Sequence, residues 1–225
     1  MNESSKGKLI VIDGLDGSGK STQFERLKAI LSEKHRVTGI SFPEYDKPSA
    51  TLVKMYLNGE FSKNAADVNA YAASTFYAAD RYASFKLYWE KAYNNGDIIL
   101  ASRYVCSNAI HQMSKLPENE WDDFLVWLAD YEYNKLCLPR PDKTVILDIP
   151  VSLSQKRLSM RYNGDESKKD IHEGNIPYME MCRRCALYAA EKQGWSVVSV
   201  CSEDGREYTP DEITDILLSE LSEVI

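Results

Sequence analysis

Apolar runs and helix-like spacing alternate along the chain. Leu9–Asp13 is a short apolar run that stops at Gly14, the pattern of a buried strand. Ser18 to about Glu33 predicts a helix. Arg36–Phe42 predicts a second strand, stopped by Pro43. Ser49–Asn58 predicts a short helix closed by Gly59. Asp67 to Asn94 predicts a long helix, with Asp67 as N-cap and Asn95-Gly96 as the stop. Asp97–Ala101 predicts a third strand, and Asn119–Leu138 a helix that ends before Pro139 and Pro141. Lys143–Ile149 predicts a fourth strand and Val151–Tyr162 a helix, with Pro150 at its start. Asn163–His172 is polar and predicts a surface loop. Glu173–Gln193 predicts a helix ended by Gly194, and Trp195–Cys201 a fifth strand. Thr209-Pro210-Asp211-Glu212 has capping-box spacing and opens a last helix. Strands separated by helices predict an α/β fold, a five-stranded parallel sheet with helices on both faces. Ligands of such sheets bind at the carboxyl ends of the strands.

The 225 residues suit a single domain spanning 1–225, and the 44% apolar and 27% charged fractions argue against disorder. The net charge of −7 argues against a nucleic-acid partner, which selects a basic surface. It still allows an anionic nucleotide, held by local amides and cations. No apolar run reaches the roughly 18 residues that span a bilayer. Met1–Lys8 is polar and unlike a signal peptide, so no membrane partner and a cytoplasmic location are expected. The five cysteines are expected as free thiols; Cys182 and Cys185 form a lone C-x-x-C, read as two buried side chains on one helix face.

One motif carries chemistry by itself. Gly14-Leu15-Asp16-Gly17-Ser18-Gly19-Lys20-Ser21 fits G-x-x-x-x-G-K-[ST], a phosphate loop between a strand and a helix. Glycines let the backbone amides close on phosphates, and the helix points its positive end at the same place. Lys20 is expected to reach the β- and γ-phosphates of ATP, and Ser21 to offer a hydroxyl to Mg²⁺. The motif specifies a nucleoside triphosphate and a P-loop NTPase fold, without naming the acceptor.

Val11–Gln23 resembles the phosphate loop of thymidylate (dTMP) kinases. Phe42-Pro43-Glu44, Tyr77-Ala78-Ala79-Asp80-Arg81, Arg103–Ala109 with His111-Gln112, and Asp170-Ile171-His172-Glu173 resemble that family's further motifs, in order and spacing. The resemblance implies ATP-dependent phosphorylation of dTMP to dTDP, a small mobile lid at about 160–173, and a homodimer. It implies that Gly14, Gly17, Ser18, Gly19, Lys20, Ser21 and Thr22 hold ATP, with Arg157 packing on adenine. It implies that Tyr77 stacks on thymine, Arg81 bonds a base carbonyl, Arg103 clamps the acceptor phosphate and Asp16 holds the 3′-hydroxyl. Phe42, Pro43, Ser107, Asn108, His111 and Gln112 complete the expected acceptor pocket; Ser107 can also be the N-cap of its helix. Arg161 in the lid is expected to reach the transferring phosphoryl, with Lys168 and Lys169 as further candidates. Lys20, Asp16, Arg103 and Arg161 are the expected catalytic set.

One position resembles a particular branch of the family, and three positions depart from the family. Gly17 stands where one branch carries a catalytic arginine, so the cations are expected in the lid. Ser102 precedes Arg103 where the family usually has Asp. Tyr45 follows Glu44 where one branch has an arginine, with Lys47 as a candidate substitute. His111 replaces the usual Tyr or Phe near C2′ of the sugar. Two alternatives stay open: a kinase for another nucleotide or a deoxynucleoside, and a P-loop switch that uses no small acceptor.

Overall fold

The computed structural model describes residues 6–62, 67–163, 165 and 175–225. Five parallel strands, β1 (Lys8–Gly14), β2 (Val37–Ser41), β3 (Ile98–Ser102), β4 (Lys143–Asp148) and β5 (Ser196–Ser199), form one sheet in the order β2-β3-β1-β4-β5. β1 lies at the centre, so its carboxyl end opens the phosphate loop between the ends of β3 and β4. The alternation within β1 divides the core in two. Ile10 and Ile12 join a cluster with Leu27, Leu147 and Leu217, while Leu9 and Val11 join one with Trp89, Tyr104 and Phe124. Helices cover both faces, as parallel strands require.

The helices are α1 (Lys20–Ser32), α2 (Thr51–Leu57), α3 (Ala70–Ser84), α4 (Glu90–Asn94), α5 (Cys106–His111), α6 (Trp121–Ala129), α7 (Val151–Arg161), α8 (Ile176–Gln193) and α9 (Pro210–Leu221). The long helix expected from Asp67 begins later. Asn69 is the N-cap, its side chain accepting from the Ala72 amide at 2.8 Å, and Asp67 instead accepts from the Ser62 hydroxyl at 2.6 Å. Between α3 and α4 the chain widens into a π-turn over Phe85–Trp89, and a second π-turn, Asp130–Lys135, follows α6. Thr209 and Glu212 make the expected capping box. Cys182 and Cys185 are buried free thiols, but they serve different clusters: Cys182 packs on the Ile10 side and Cys185 on the Leu9 side. Among the described residues no group of His, Cys, Asp or Glu is arranged to hold a metal ion, and no helix is long and apolar enough to cross a membrane.

Candidate active site

The phosphate loop takes its shape from two close approaches. Gly14 has φ 146°, and a Cβ there would lie 2.4 Å from the Leu147 carbonyl oxygen. Gly17 has φ 80°, and its Cβ would meet the Ser154 carbonyl oxygen at 3.0 Å. The first turn of α7 thus closes on the loop, and the Ser154 hydroxyl donates to the Asp16 carbonyl at 2.6 Å. Any side chain at Gly17 would be strained in this backbone. That gives a physical reason for the missing arginine of the other branch. Ser18 is buried, with a hydroxyl that finds no partner among the described residues.

Lys20, at the start of α1, curls back over the loop. Its Nζ donates to the Gly14 and Leu15 carbonyls, each at 2.8 Å, and lies 3.6 Å from Asp16. Burial and the nearby Arg103 guanidinium lower its pKa to about 8, against the opposite pull of Asp16. Arg103 follows β3 at the sheet's carboxyl edge with φ 68°, a conformation that a non-glycine residue holds only at a cost. Its guanidinium bonds Asp16, lies 3.6 Å from the buried Asp13, and donates to His111 Nε2 at 3.0 Å. Burial disfavours the Asp16 charge, but Arg103 and Lys20 outweigh it and hold the carboxyl far below its ordinary range. Burial and Arg103 push His111 down to about 3, so the ring is neutral. Because arginine can only donate, Nε2 accepts, and Nδ1 carries the proton toward the Tyr178 hydroxyl 3.3 Å away.

These groups line one cavity of about 400 Å³, a volume suited to a small ligand. From the phosphate loop and α1 come Asp16, Gly17, Gly19, Lys20, Ser21 and Thr22. From the acceptor motifs come Phe42, Pro43, Tyr77, Arg81, Arg103, Ser107, Asn108, His111 and Gln112, and Arg161 enters from the end of α7. The Phe42–Pro43 peptide is cis, and the following turn is pinned by Asp80, which accepts from the Glu44 amide at 2.9 Å. Tyr77 is half-buried and packs edge-on against Tyr56. One motif therefore holds the next in place.

Several expected residues sit elsewhere. Gly14 and Ser18 lie beneath the loop rather than on the cavity wall. Arg157 donates to the Gly17 carbonyl at 3.2 Å and pairs with Glu207 at 3.3 Å, also off the cavity wall. Ser107 is not an N-cap: it lies inside α5, which Val105 precedes, and its hydroxyl donates to Asp13. Lys47 is no substitute at the cavity, since its ammonium sits 4.7 Å over the Tyr88 ring. Lys168, Lys169 and Asp170–Glu173 lie outside the described residues, as does most of the expected lid.

Three site residues, Tyr178, Asp13 and Glu132, escape sequence reasoning, and a fourth, Ser102, stands out there only as a departure from the family. Tyr178 lines the cavity one helical turn before the buried Cys182, a spacing that could have revealed its inward face. Ser102 lines it at the end of β3. Asp13, the acid ending a buried strand, accepts from the Gly14 amide at 2.8 Å. Glu132, fully buried, pairs with Arg81.

A family model for thymidylate kinase matches residues 12–211. The chain is 31% identical over 191 residues to a thymidylate kinase of Mycobacterium tuberculosis (strain CDC 1551 / Oshkosh), covering 83% of this chain and 87% of the relative. The chain belongs to the thymidylate kinase family. A probable thymidylate kinase of Pyrococcus horikoshii is 26% identical over 69% of this chain and 72% of its own length. A thymidylate kinase structure from Candida albicans superposes with a TM-score of 0.71, at 24% identity, over 97% of this chain and 92% of that one. That likeness supports the fold of this family member: a P-loop NTPase sheet with helices on both sides.

Proposed function

We propose that this chain catalyses ATP-dependent phosphorylation of dTMP to dTDP, with the 400 Å³ cavity as its active site. ATP lies on the phosphate loop. dTMP lies against α3 and α5, its ring stacked on Tyr77 and its base carbonyl bonded by Arg81. Arg103 clamps the acceptor phosphate, and its rigid guanidinium suits two oxygens at once. Asp16 stays ionised and accepts from the 3′-hydroxyl. Arg81, Arg103 and Arg161 line the same cavity as the phosphate loop, and this observation carries the reading.

An acceptor phosphate oxygen attacks the γ-phosphorus in line. A new P–O bond forms as the bond to the β-phosphate bridging oxygen breaks, and ADP leaves. The attacking oxygen is already ionised, so no general base is needed. The transition state is loose, so the protein contributes position and charge stabilisation. Lys20, Arg103 and Arg161 supply the charge; the loop amides supply oriented dipoles. The expected lid at about 160–173, most of it outside the described residues, is the part of the reading that would keep water from the γ-phosphate.

The donor set fits Mg²⁺: the exposed Ser21 hydroxyl and the ionised Asp16 line the same cavity as the expected phosphates, and Mg²⁺ characteristically binds such sparse oxygen sites. Ser21 would hold it, and when bound it neutralises charge on the transferring phosphoryl group. The reading includes a homodimer, supported by the exposed Tyr82 on α3 and Leu87 on the π-turn that follows it. It includes a single domain and a cytoplasmic location, which the five free thiols suit.

Coupled ADP release across a panel of nucleoside monophosphates tests the assignment. Fastest turnover with dTMP is expected. Preference for dUMP, dCMP or thymidine over dTMP, or ADP release indifferent to any acceptor, would overturn it.

A further inference from the structure

A buried carboxylate that the phosphoryl-transfer chemistry does not use lies behind the cavity. Glu132, on the π-turn after α6, is wholly inaccessible to solvent. Three N–H groups converge on it: Arg81 Nε at 2.6 Å, Arg81 Nη2 at 2.5 Å and Asn108 Nδ2 at 3.1 Å. Burial alone would disfavour the Arg81 charge, but the facing carboxylate outweighs it and Arg81 stays firmly protonated. Buried ion pairs contribute little net stability compared with apolar packing, so a positional role deserves weight.

A carboxylate can only accept hydrogen bonds, and this fixes its neighbours. The Asn108 amide must turn its NH₂ end toward Glu132, where Nδ2 also meets the Ser74 carbonyl at 3.3 Å. Both Asn108 side-chain donors are then used, and Oδ1 is the atom left for a ligand. The Gln112 Oε1 on the same wall is buried and has no partner among the described residues. Arg81 is similarly constrained. Nε and one Nη2 hydrogen face Glu132, and Nη1 reaches the Tyr104 carbonyl at 3.3 Å. One N–H on each terminal nitrogen remains for the cavity. The wall thus presents donors from Arg81 beside an acceptor from Asn108.

We propose that Glu132 is a positioning residue that sets the hydrogen-bond polarity of the base site, selecting pyrimidines with a ring N–H beside a carbonyl and rejecting those with a ring nitrogen acceptor beside an amino group. The proposal rests on the acceptor reading above. Thymine and uracil offer N3–H to Asn108 and O4 to Arg81. Cytosine meets acceptor with acceptor and amino group with cation. A site built around buried polar partners rejects such a mismatch far more strongly than an apolar pocket would. Glutamine at position 132 leaves Arg81 without its anion and can donate as well as accept, so of the two acceptors that hold the Asn108 NH₂ group only the Ser74 carbonyl still demands that orientation.

The test is steady-state kinetics of the wild type and Glu132→Gln with dTMP and dCMP, alongside Glu132→Asp. The wild type should favour dTMP over dCMP by at least about 100-fold. Glu132→Gln should narrow that ratio at least about 10-fold and raise KM for dTMP about 10-fold, with KM for ATP within about 2-fold. Glu132→Asp, which keeps the charge, should restore part of the ratio. An unchanged ratio in Glu132→Gln, or equal losses toward ATP and dTMP, overturns the proposal. If that variant does not fold, N3-methyl-dTMP with the wild type decides: at least about 10-fold weaker use than dTMP is expected, and equal use overturns the proposal. A wild type inactive on every pyrimidine monophosphate would instead refute the function reading itself.

Discussion

Nucleotide affinity should fall with rising pH because Lys20 titrates within the working range. In the ligand-free pocket its pKa is lowered to about 8 by burial and by Arg103. A bound polyphosphate adds negative charge beside Nζ and draws the pKa back up. Binding therefore takes up a proton once pH exceeds about 8, and the protonated fraction available to bind falls about tenfold for each further unit. ADP should bind about tenfold more weakly at about pH 9 than at about pH 7, a loss of ~1.4 kcal/mol. Titration calorimetry from about pH 7 upward stays above the phosphate's own ionisation near about pH 6. Lys20→Ala should bind weakly at every pH with no such slope, and should turn over at least about a hundredfold more slowly. A flat wild-type profile, or the same slope in Lys20→Ala with the fold intact, would refute the reasoning.

Three further outcomes are expected. Arg103→Ala should lower kcat/KM for dTMP at least about a hundredfold; it should also move the pH-dependent loss of nucleotide affinity upward, since Arg103 helps depress the Lys20 pKa. Tyr77→Ala should raise KM for dTMP about 5- to 150-fold, the ~1–3 kcal/mol of one base–aromatic stack, with little effect on ATP, as separate KM measurements would show. Gly17→Arg should lower the melting temperature and weaken ATP binding, because position 17 has φ 80° and faces the Ser154 carbonyl; a stable variant with unchanged affinity would mean the loop has room for an arginine.

The parts of the site that depend on backbone chemistry were legible in the sequence. Gly14 and Gly17 advertise the phosphate loop because a Cβ there would crowd a neighbouring carbonyl, and Gly19 because its φ of 95° favours glycine, while the alternation in Leu9–Ile12 marks the central strand. The ordered family motifs brought Tyr77, Arg81 and Arg103 to one cavity although each is weak alone. What escaped was set by tertiary contact. Glu132 stands in Asp130-Tyr131-Glu132-Tyr133, whose polarity reads as surface until the π-turn rotates one acid inward. Asn69 displaced Asp67 as the cap because both are good caps and only the chain's path chooses between them. Tyr178 reads as one more aromatic of α8, and only the fold sets its hydroxyl 3.3 Å from His111 Nδ1.

The central claim is that the γ-phosphoryl group of ATP passes to the phosphate of dTMP and not to water. Incubation of the purified protein with γ-labelled ATP, dTMP and Mg²⁺, with products separated chromatographically, tests it most directly. The account predicts label in dTDP, formed one-for-one with ADP, and almost none in free phosphate. Label released as free phosphate at a rate unaffected by dTMP would contradict it.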